Sequence, residues 1–195
     1  MSRSLIVRVL RPVALLAAGM LLGQAALSIT SPTTAATMQS RTSSCAGYAF
    51  QPLDSDTYAG YLAQGVRYGA PRSGSGIFVC DPKLPNRAVV TSIRFVLWDE
   101  SPEGEIQGCG LYRTGTTGSG APRVVTMGRT PSTGLDARPR RITVSDRTIQ
   151  SATVNTSSWG YWLQCQVHFP TADGRYFEAG IVSAHVNYKV DPTKA

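Results

Sequence analysis

From Cys45 onward, apolar side chains recur at every second position over short runs, and Gly, Pro, Ser and Thr interrupt the chain roughly every ten residues. No stretch of that part repeats apolar residues at the three-and-four spacing of an amphipathic helix. The cadence predicts an all-β domain, a single antiparallel β-sandwich of jelly-roll or immunoglobulin-like type with about eight strands. The clearest strand covers 88–98. Val89, Ile93, Phe95 and Leu97 share one of its faces, and Val90, Ser92, Arg94, Val96 and Trp98 take the other. With apolar groups on both faces it reads as a central strand, and Trp98 is assigned to the core. Shorter strands are expected at 76–80, 106–113, 123–128, 140–145 and 148–154, bounded by turns such as Ser73-Gly74 and Thr133-Gly134.

The stretch 159–190 reads as two long strands around a turn at Asp173-Gly174. Trp159, Tyr161, Leu163, Cys165, Val167 and Phe169 form the apolar face of the first strand. Val182, Ala184, Val186, Tyr188 and Val190 form that of the second. With Asp173 and Gly174 as the two turn residues, Cys165 faces Val182 and Leu163 faces Ala184, so the apolar faces coincide. A slip of one residue would set every apolar side chain opposite a polar one. The same register sets Trp162 beside His185 and Gln164 beside Ser183 on an outer surface.

The N-terminus breaks this pattern. Arg3, Arg8 and Arg11 precede an apolar run over 13–22 and a small-residue region over 23–36, the order of a cleaved secretory signal. Ten apolar residues fall short of the ~20 that cross a bilayer, so no membrane span is expected in the mature protein. Residues 1–36 are therefore read as signal peptide, 37–44 as a flexible entry segment, 45–191 as the sandwich and 192–195 as a tail. Export places the domain in a secreted or periplasmic setting. All three basic residues and no acidic residue of the leader are lost with it. The mature chain then carries 16 Lys and Arg against 12 Asp and Glu, a net charge of +4 where the full chain has +7. That reduction weakens any nucleic-acid reading, and none is expected.

Cys45, Cys80, Cys109 and Cys165 all lie in the mature part, and an even number in an exported chain implies two disulfides. Their spacing has no C-x-x-C, which disfavours zinc and thioredoxin-like chemistry. Three pairings are open, of which Cys45 with Cys80 and Cys109 with Cys165 is preferred. Each would stabilise the fold by about 2–4 kcal/mol.

Several features together resemble a loose group of short, exported, uncharacterised bacterial β-sandwich proteins that contain disulfides. They are an N-terminal cysteine, Gly65-Val66 before Phe78-Val79-Cys80-Asp81-Pro82, Val96-Leu97-Trp98-Asp99, Cys109-Gly110-Leu111, Tyr161-Trp162-Leu163-Gln164-Cys165 and a final Val186-Asn187-Tyr188-Lys189-Val190. The resemblance spans most of the mature domain. It implies a secreted β-sandwich and assigns no activity, cofactor or catalytic residue. Proteins of this group usually carry a proline soon after the fourth cysteine, whereas here Pro170 stands five residues on.

Candidate chemistry is sparse. The polar face predicted for 159–190 carries Trp162, Gln164, Gln166, His168, Ser183, His185 and Asn187. An aromatic ring beside amides and hydroxyls suits a sugar, since the ring stacks on an apolar pyranose face while amides bond its hydroxyls. The plainer alternative is a solvated sheet face. Asp99, Glu100, Glu103 and Glu105 crowd one loop and offer oxygen ligands for Ca²⁺, but without the alternating spacing of a dedicated calcium loop. Arg123, Arg129, Arg138, Arg140, Arg141 and Arg147 make a basic segment, either an acidic-polymer contact or a charged strand edge that resists aggregation.

Nucleophilic or metal chemistry would have to come from His168 and His185, the two histidines of the chain, and neither stands in a catalytic motif. The leading expectation is a non-catalytic binding module for a polysaccharide or cell-envelope polymer, needing no cofactor. A small secreted hydrolase or lyase is one alternative. The other is an inhibitor or protein-interaction module that presents the glycine-rich loop 114–121.

Overall fold

A computed structural model describes residues 37–53, 57–61, 67–71, 75–99, 105–116, 120–133, 140–168 and 179–193. Eleven strands lie among them: β1 Gln39–Ala46, β2 Gln51–Pro52, β3 Thr57–Tyr61, β4 Arg67–Pro71, β5 Ser75–Cys80, β6 Val89–Asp99, β7 Glu105–Thr116, β8 Pro122–Arg129, β9 Arg140–Asp146, β10 Gly160–His168 and β11 Ala179–Val190. They form two antiparallel sheets. One is six-stranded in the order β3-β4-β11-β6-β9, with β1 also paired to β11; the other is five-stranded in the order β2-β5-β10-β7-β8. The β-sandwich expectation holds, and the described strands all belong to one compact unit, Ala35–Ala195.

Two-residue alternation builds the core. Leu163, Cys165 and Val167 of β10 and Leu111 of β7 are buried in the five-stranded sheet. Ile93, Phe95 and Leu97 of β6 and Ala184, Val186 and Tyr188 of β11 are buried in the six-stranded sheet. Phe50, Phe78 and Met127 complete the same cluster. Each fully buried Leu, Ile or Phe contributes about 1.5–3 kcal/mol. The register shifts between Ile181 and Ser183 and between Asn187 and Tyr188. These bulges put Ile181 and Val90 in the core and leave Val182 and Val89 half-buried, which strict alternation did not predict.

Four strand-level expectations are corrected. Strands β10 and β11 are not a hairpin: β10 pairs with β5 and β7, while β11 pairs with β1, β4 and β6. Their apolar faces coincide because both look into one interior from opposite sheets. The turn at Asp173-Gly174 lies outside the described residues. Residues 37–44, read as a flexible entry, belong largely to β1, whose eight residues pair with β11 from Gln39↔Val190 to Ala46↔Ser183. The segment 148–154 is not a strand and contributes only a bridge from Thr153 to Val89. Trp98 is half-buried on the face of β6 that points away from Leu97, so it is not a core residue.

Both preferred disulfides are present. Cys45–Cys80 joins β1 of one sheet to β5 of the other, with Cα atoms 6.5 Å apart. Cys109–Cys165 lies within the five-stranded sheet between directly paired residues, Cα atoms 4.1 Å apart. Thr130 takes both main-chain groups of Cys109: its amide donates to the Cys109 carbonyl at 2.8 Å, and its hydroxyl accepts from the Cys109 amide at 3.2 Å. Cys109 and Cys165 therefore form a non-hydrogen-bonded rung, the kind in which side chains come closest. A further tie runs from β1, where the Ser43 hydroxyl donates to the Pro82 carbonyl beyond β5.

Asp99, at the end of β6, is 2 % exposed. It accepts from the Thr133 hydroxyl at 2.7 Å, and the same hydroxyl accepts from the Ile106 amide at 3.1 Å, linking the sheets at that end. Among the described residues, no helix is long and apolar enough to cross a membrane.

Candidate functional site

The outer face of the five-stranded sheet is shaped by two glycines of β7. Side chains at 108, 110 and 112 point outward, and the first two positions carry none beyond hydrogen. A Cβ on Gly110 would lie 2.9 Å from Cε2 and 3.2 Å from Cζ of Tyr112, so the phenol ring lies over Gly110. Trp162, directly opposite Tyr112 on β10, stacks with it at a centroid separation of 5.7 Å and an interplanar angle of 17°. Both rings are half-buried. The indole N–H donates to Gln164 Oε1 at 3.2 Å. That bond orients the Gln164 amide through its oxygen, and among the described residues the amide nitrogen has no partner.

Gln164 pairs with Gly110 and Gln166 with Gly108, so the two amides border the glycine positions. Gly108 sits at a bulge with φ +148°, a conformation that favours glycine. A Cβ there would meet Arg129 Nε at 3.2 Å and Nη2 at 3.5 Å. Arg129, opposite Gly110 on β8, thus lays its guanidinium over Gly108. Further along β10, His168 Nδ1 and Ser75 Oγ of β5 are hydrogen-bonded at 2.9 Å. Val124 of β8, paired with Thr114 beyond the Tyr112 position, is 61 % exposed and extends the apolar strip.

The Cys109–Cys165 disulfide lies directly beneath this arrangement. Cys109 stands between Gly108 and Gly110, and Cys165 between Gln164 and Gln166. A covalent clamp on the inner face therefore fixes the spacing of groups on the outer face.

Ser183, His185 and Asn187 lie elsewhere, on the outer face of the six-stranded sheet. The Thr42 hydroxyl donates to Asn187 Oδ1 at 2.7 Å, and Asn187 Nδ2 donates to Ser92 Oγ at 2.9 Å. Ser183 Oγ and His185 Nε2 are 3.1 Å apart. Burial lowers the His185 pKa below the usual 6.5, and the Arg94 charge beside it acts in the same direction. These side chains satisfy one another across β1, β11 and β6.

The seven residues read from the sequence as one platform are therefore divided. Trp162, Gln164, Gln166 and His168 stay together; Ser183, His185 and Asn187 belong to the opposite surface, and Trp162 is not beside His185. The two histidines stand on different sheets and point away from the shared core. Sequence reasoning missed Tyr112, Gly108, Gly110 and Arg129 as parts of one face. The available signal was Gly108-x-Gly110-x-Tyr112, since glycines at alternate strand positions mark a close approach on one face.

Of the calcium candidates, Glu100 and Glu103 lie outside the described residues, as does the side chain of Glu105; Asp99 is buried against Thr133. Among the described residues no three His, Cys, Asp or Glu side chains gather as a metal site. In the basic segment, Arg123, Arg129, Arg141 and Arg147 are exposed along β8, β9 and the residue after β9, where each sheet has its edge. Arg138 and the Arg140 side chain lie outside the described residues, as does the tip of the 114–121 loop. At one end of the sandwich, the Arg113 guanidinium lies 4.3 Å from the Trp159 ring centroid.

No family model and no curated protein matches the chain. Solved structures that resemble it include the CBM22-1–GH10 modules of endo-1,4-beta-D-xylanase 10B from Clostridium thermocellum, complexed with xylohexaose. The identity is 8 % and the TM-score 0.43, over 76 % of this chain and 27 % of that one. The chain thus spans about a quarter of that structure's length. CBM35 from Paenibacillus barcinonensis is 12 % identical, with a TM-score of 0.34, over 76 % of this chain and 97 % of that one.

Proposed function

We propose that this chain is an exported, non-catalytic binding module that holds a polysaccharide or cell-envelope polymer on the outer face of its five-stranded sheet. The observation that carries the reading is the Tyr112–Trp162 pair, seated on Gly110, with the Gln164 amide held by the indole N–H. Two near-parallel rings supply an apolar surface for the C–H face of a sugar, and the neighbouring amides of Gln164 and Gln166 supply donors and acceptors for its hydroxyls. Little rearrangement is needed, because the disulfide beneath already sets the strand spacing, and preorganisation reduces the entropic cost of binding. Export is supported by the basic, apolar and small-residue order of residues 1–36 and by two disulfides suited to an oxidising compartment.

Retention on cellulose, xylan, chitin and peptidoglycan tests the reading. At least one should retain the protein, and Trp162→Ala and Tyr112→Ala should each abolish that retention while the far-UV spectrum stays that of the β-fold. Retention unchanged by both substitutions would remove the platform from consideration.

A further inference from the structure

The two outward glycines of β7 seat different chemistries. Gly110 lies beneath the Tyr112 ring and Gly108 beneath the Arg129 guanidinium, two residues apart on the same face and so about 7 Å along the strand. We propose, resting on the platform reading above, that the site takes a polysaccharide whose sugars carry an oxyanion, a carboxylate in the first instance, and that Arg129 is the residue that selects it.

Arg129 is exposed, yet its place is determined by the fold. The register shift between Gln166 and Val167 and the positive φ of Gly108 open the seat, and any side chain at 108 would meet the guanidinium. Among the described residues no carboxylate pairs with the Arg129 guanidinium. Among the described residues the ion pair is Lys83–Asp81. The nearby Asp146 carboxylate accepts the Arg129 main-chain amide at 2.9 Å and also the Thr148 amide and hydroxyl, so it serves the backbone rather than the guanidinium. Gln166, paired with Gly108, adds an amide beside the cation. A pyranose stacked on the Tyr112–Trp162 rings would carry a ring carboxylate, or that of the next sugar, toward a planar fork suited to bidentate contact. The exposed Arg123 on β8 would favour the same polyanion by its field.

The test compares polygalacturonate, its fully methyl-esterified form and dextran sulfate at 0.15 M salt, using the wild-type domain and the Trp162→Ala, Arg129→Gln and Arg129→Lys variants. The wild type should bind polygalacturonate at least about tenfold more tightly than the ester. Arg129→Gln should bring that ratio close to one, and Arg129→Lys, which keeps the charge but not the fork, should leave an intermediate preference. Dextran sulfate binding with the same Arg129 dependence would support the oxyanion assignment and identify sulfate as a second source; its failure beside tight polygalacturonate binding would support carboxylate alone. Equal affinity for acid and ester, with both lost in Trp162→Ala, would overturn the anion assignment and keep the platform. Acid preference unchanged in Arg129→Gln would overturn the role of Arg129. Failure of all three polymers to bind would overturn this inference, while retention on a neutral polysaccharide abolished by Trp162→Ala would show that the platform survives it.

Discussion

The two outer faces of this sandwich look alike in the sequence and differ in what they present to solvent. On the six-stranded sheet, Thr42, Asn187 and Ser92 bond in series and Ser183 bonds His185, so the polar groups are satisfied by neighbours on the same or adjacent strands. On the five-stranded sheet, glycines at 108 and 110 make room for a ring and a guanidinium, and the amides of Gln164 and Gln166 stand beside them. The disulfides follow the same division. Cys109–Cys165 braces the five-stranded sheet from within, whereas Cys45–Cys80 ties it to the other sheet. A polar face becomes a candidate binding surface when its groups are held in place without being used up. The first face meets only half of that condition.

The strongest way to break the contrast is to remove the brace. Replacing Cys109 and Cys165 together by Ser should cost about 2–5 kcal/mol in denaturant unfolding. It should also weaken polymer retention, because the spacing of Gly108 and Gly110 from Gln164 and Gln166 is no longer held. Gly110→Val comes next. Its Cβ would lie 2.7 Å from the Gly128 carbonyl and 2.9 Å from the Tyr112 ring, so a loss of about 1–3 kcal/mol is expected together with displacement of the ring and loss of retention. Loss of stability with retention intact would show that the ring position is irrelevant.

Asn187→Ala sharpens the comparison from the other side. It leaves the Thr42 and Ser92 hydroxyls without their partner, at an expected cost of about 0.5–1.5 kcal/mol, and retention should not change.

Acidity distinguishes two positions of the six-stranded sheet, His185 on β11 and Asp146 at the end of β9. The folded pKa of His185 lies below 6.5, so folding favours the neutral imidazole. Its contribution is fully present above pH 6.5 and is lost as pH falls from there through the folded value. His185→Gln should therefore flatten the fall in stability between neutral and mildly acidic pH, measured by urea unfolding. Asp146 acts in a lower window. Burial raises its pKa, but hydrogen bonds from the Thr148 hydroxyl and amide and from the Arg129 and Arg147 amides outweigh that and bring it below 3.8. Its contribution is present above pH 3.8 and is lost only as pH falls through that lower value. The smallest effect is expected of Asp81→Asn. This substitution breaks an exposed pair with Lys83 and should change stability by less than about 1 kcal/mol.

What could be read from the sequence follows from what a two-residue period encodes. Alternation places Leu163, Cys165 and Val167 and also Ala184, Val186 and Tyr188 in an interior, and all six are buried. It carries no information on which strand lies beside which. Two strands facing one core from opposite sheets satisfy the same apolar match as a hairpin, so the period alone pairs β10 with β11 and puts three of the seven candidate residues, Ser183, His185 and Asn187, on the wrong surface. The bulges that carry Ile181 and Val90 inward are likewise invisible to a strict period. β1 carries no apolar alternation to reveal it, because QSRTSSCA is almost entirely polar before Cys45 and owes its place to the main-chain ladder with β11. The site depended on glycines whose meaning emerges only once Tyr112 and Arg129 are seen lying over them.

The most direct test of the binding face is a backbone amide shift titration of the isotope-labelled domain with a soluble fragment of whichever polymer retains it. Shifts should concentrate at Gly108, Gly110, Tyr112, Trp162, Gln164 and Gln166, with the Trp162 indole N–H among the largest, while Ser183, His185 and Asn187 stay still. Shifts centred on those last three residues, with the Trp162 indole unmoved, would contradict the assignment of the five-stranded sheet as the surface that binds.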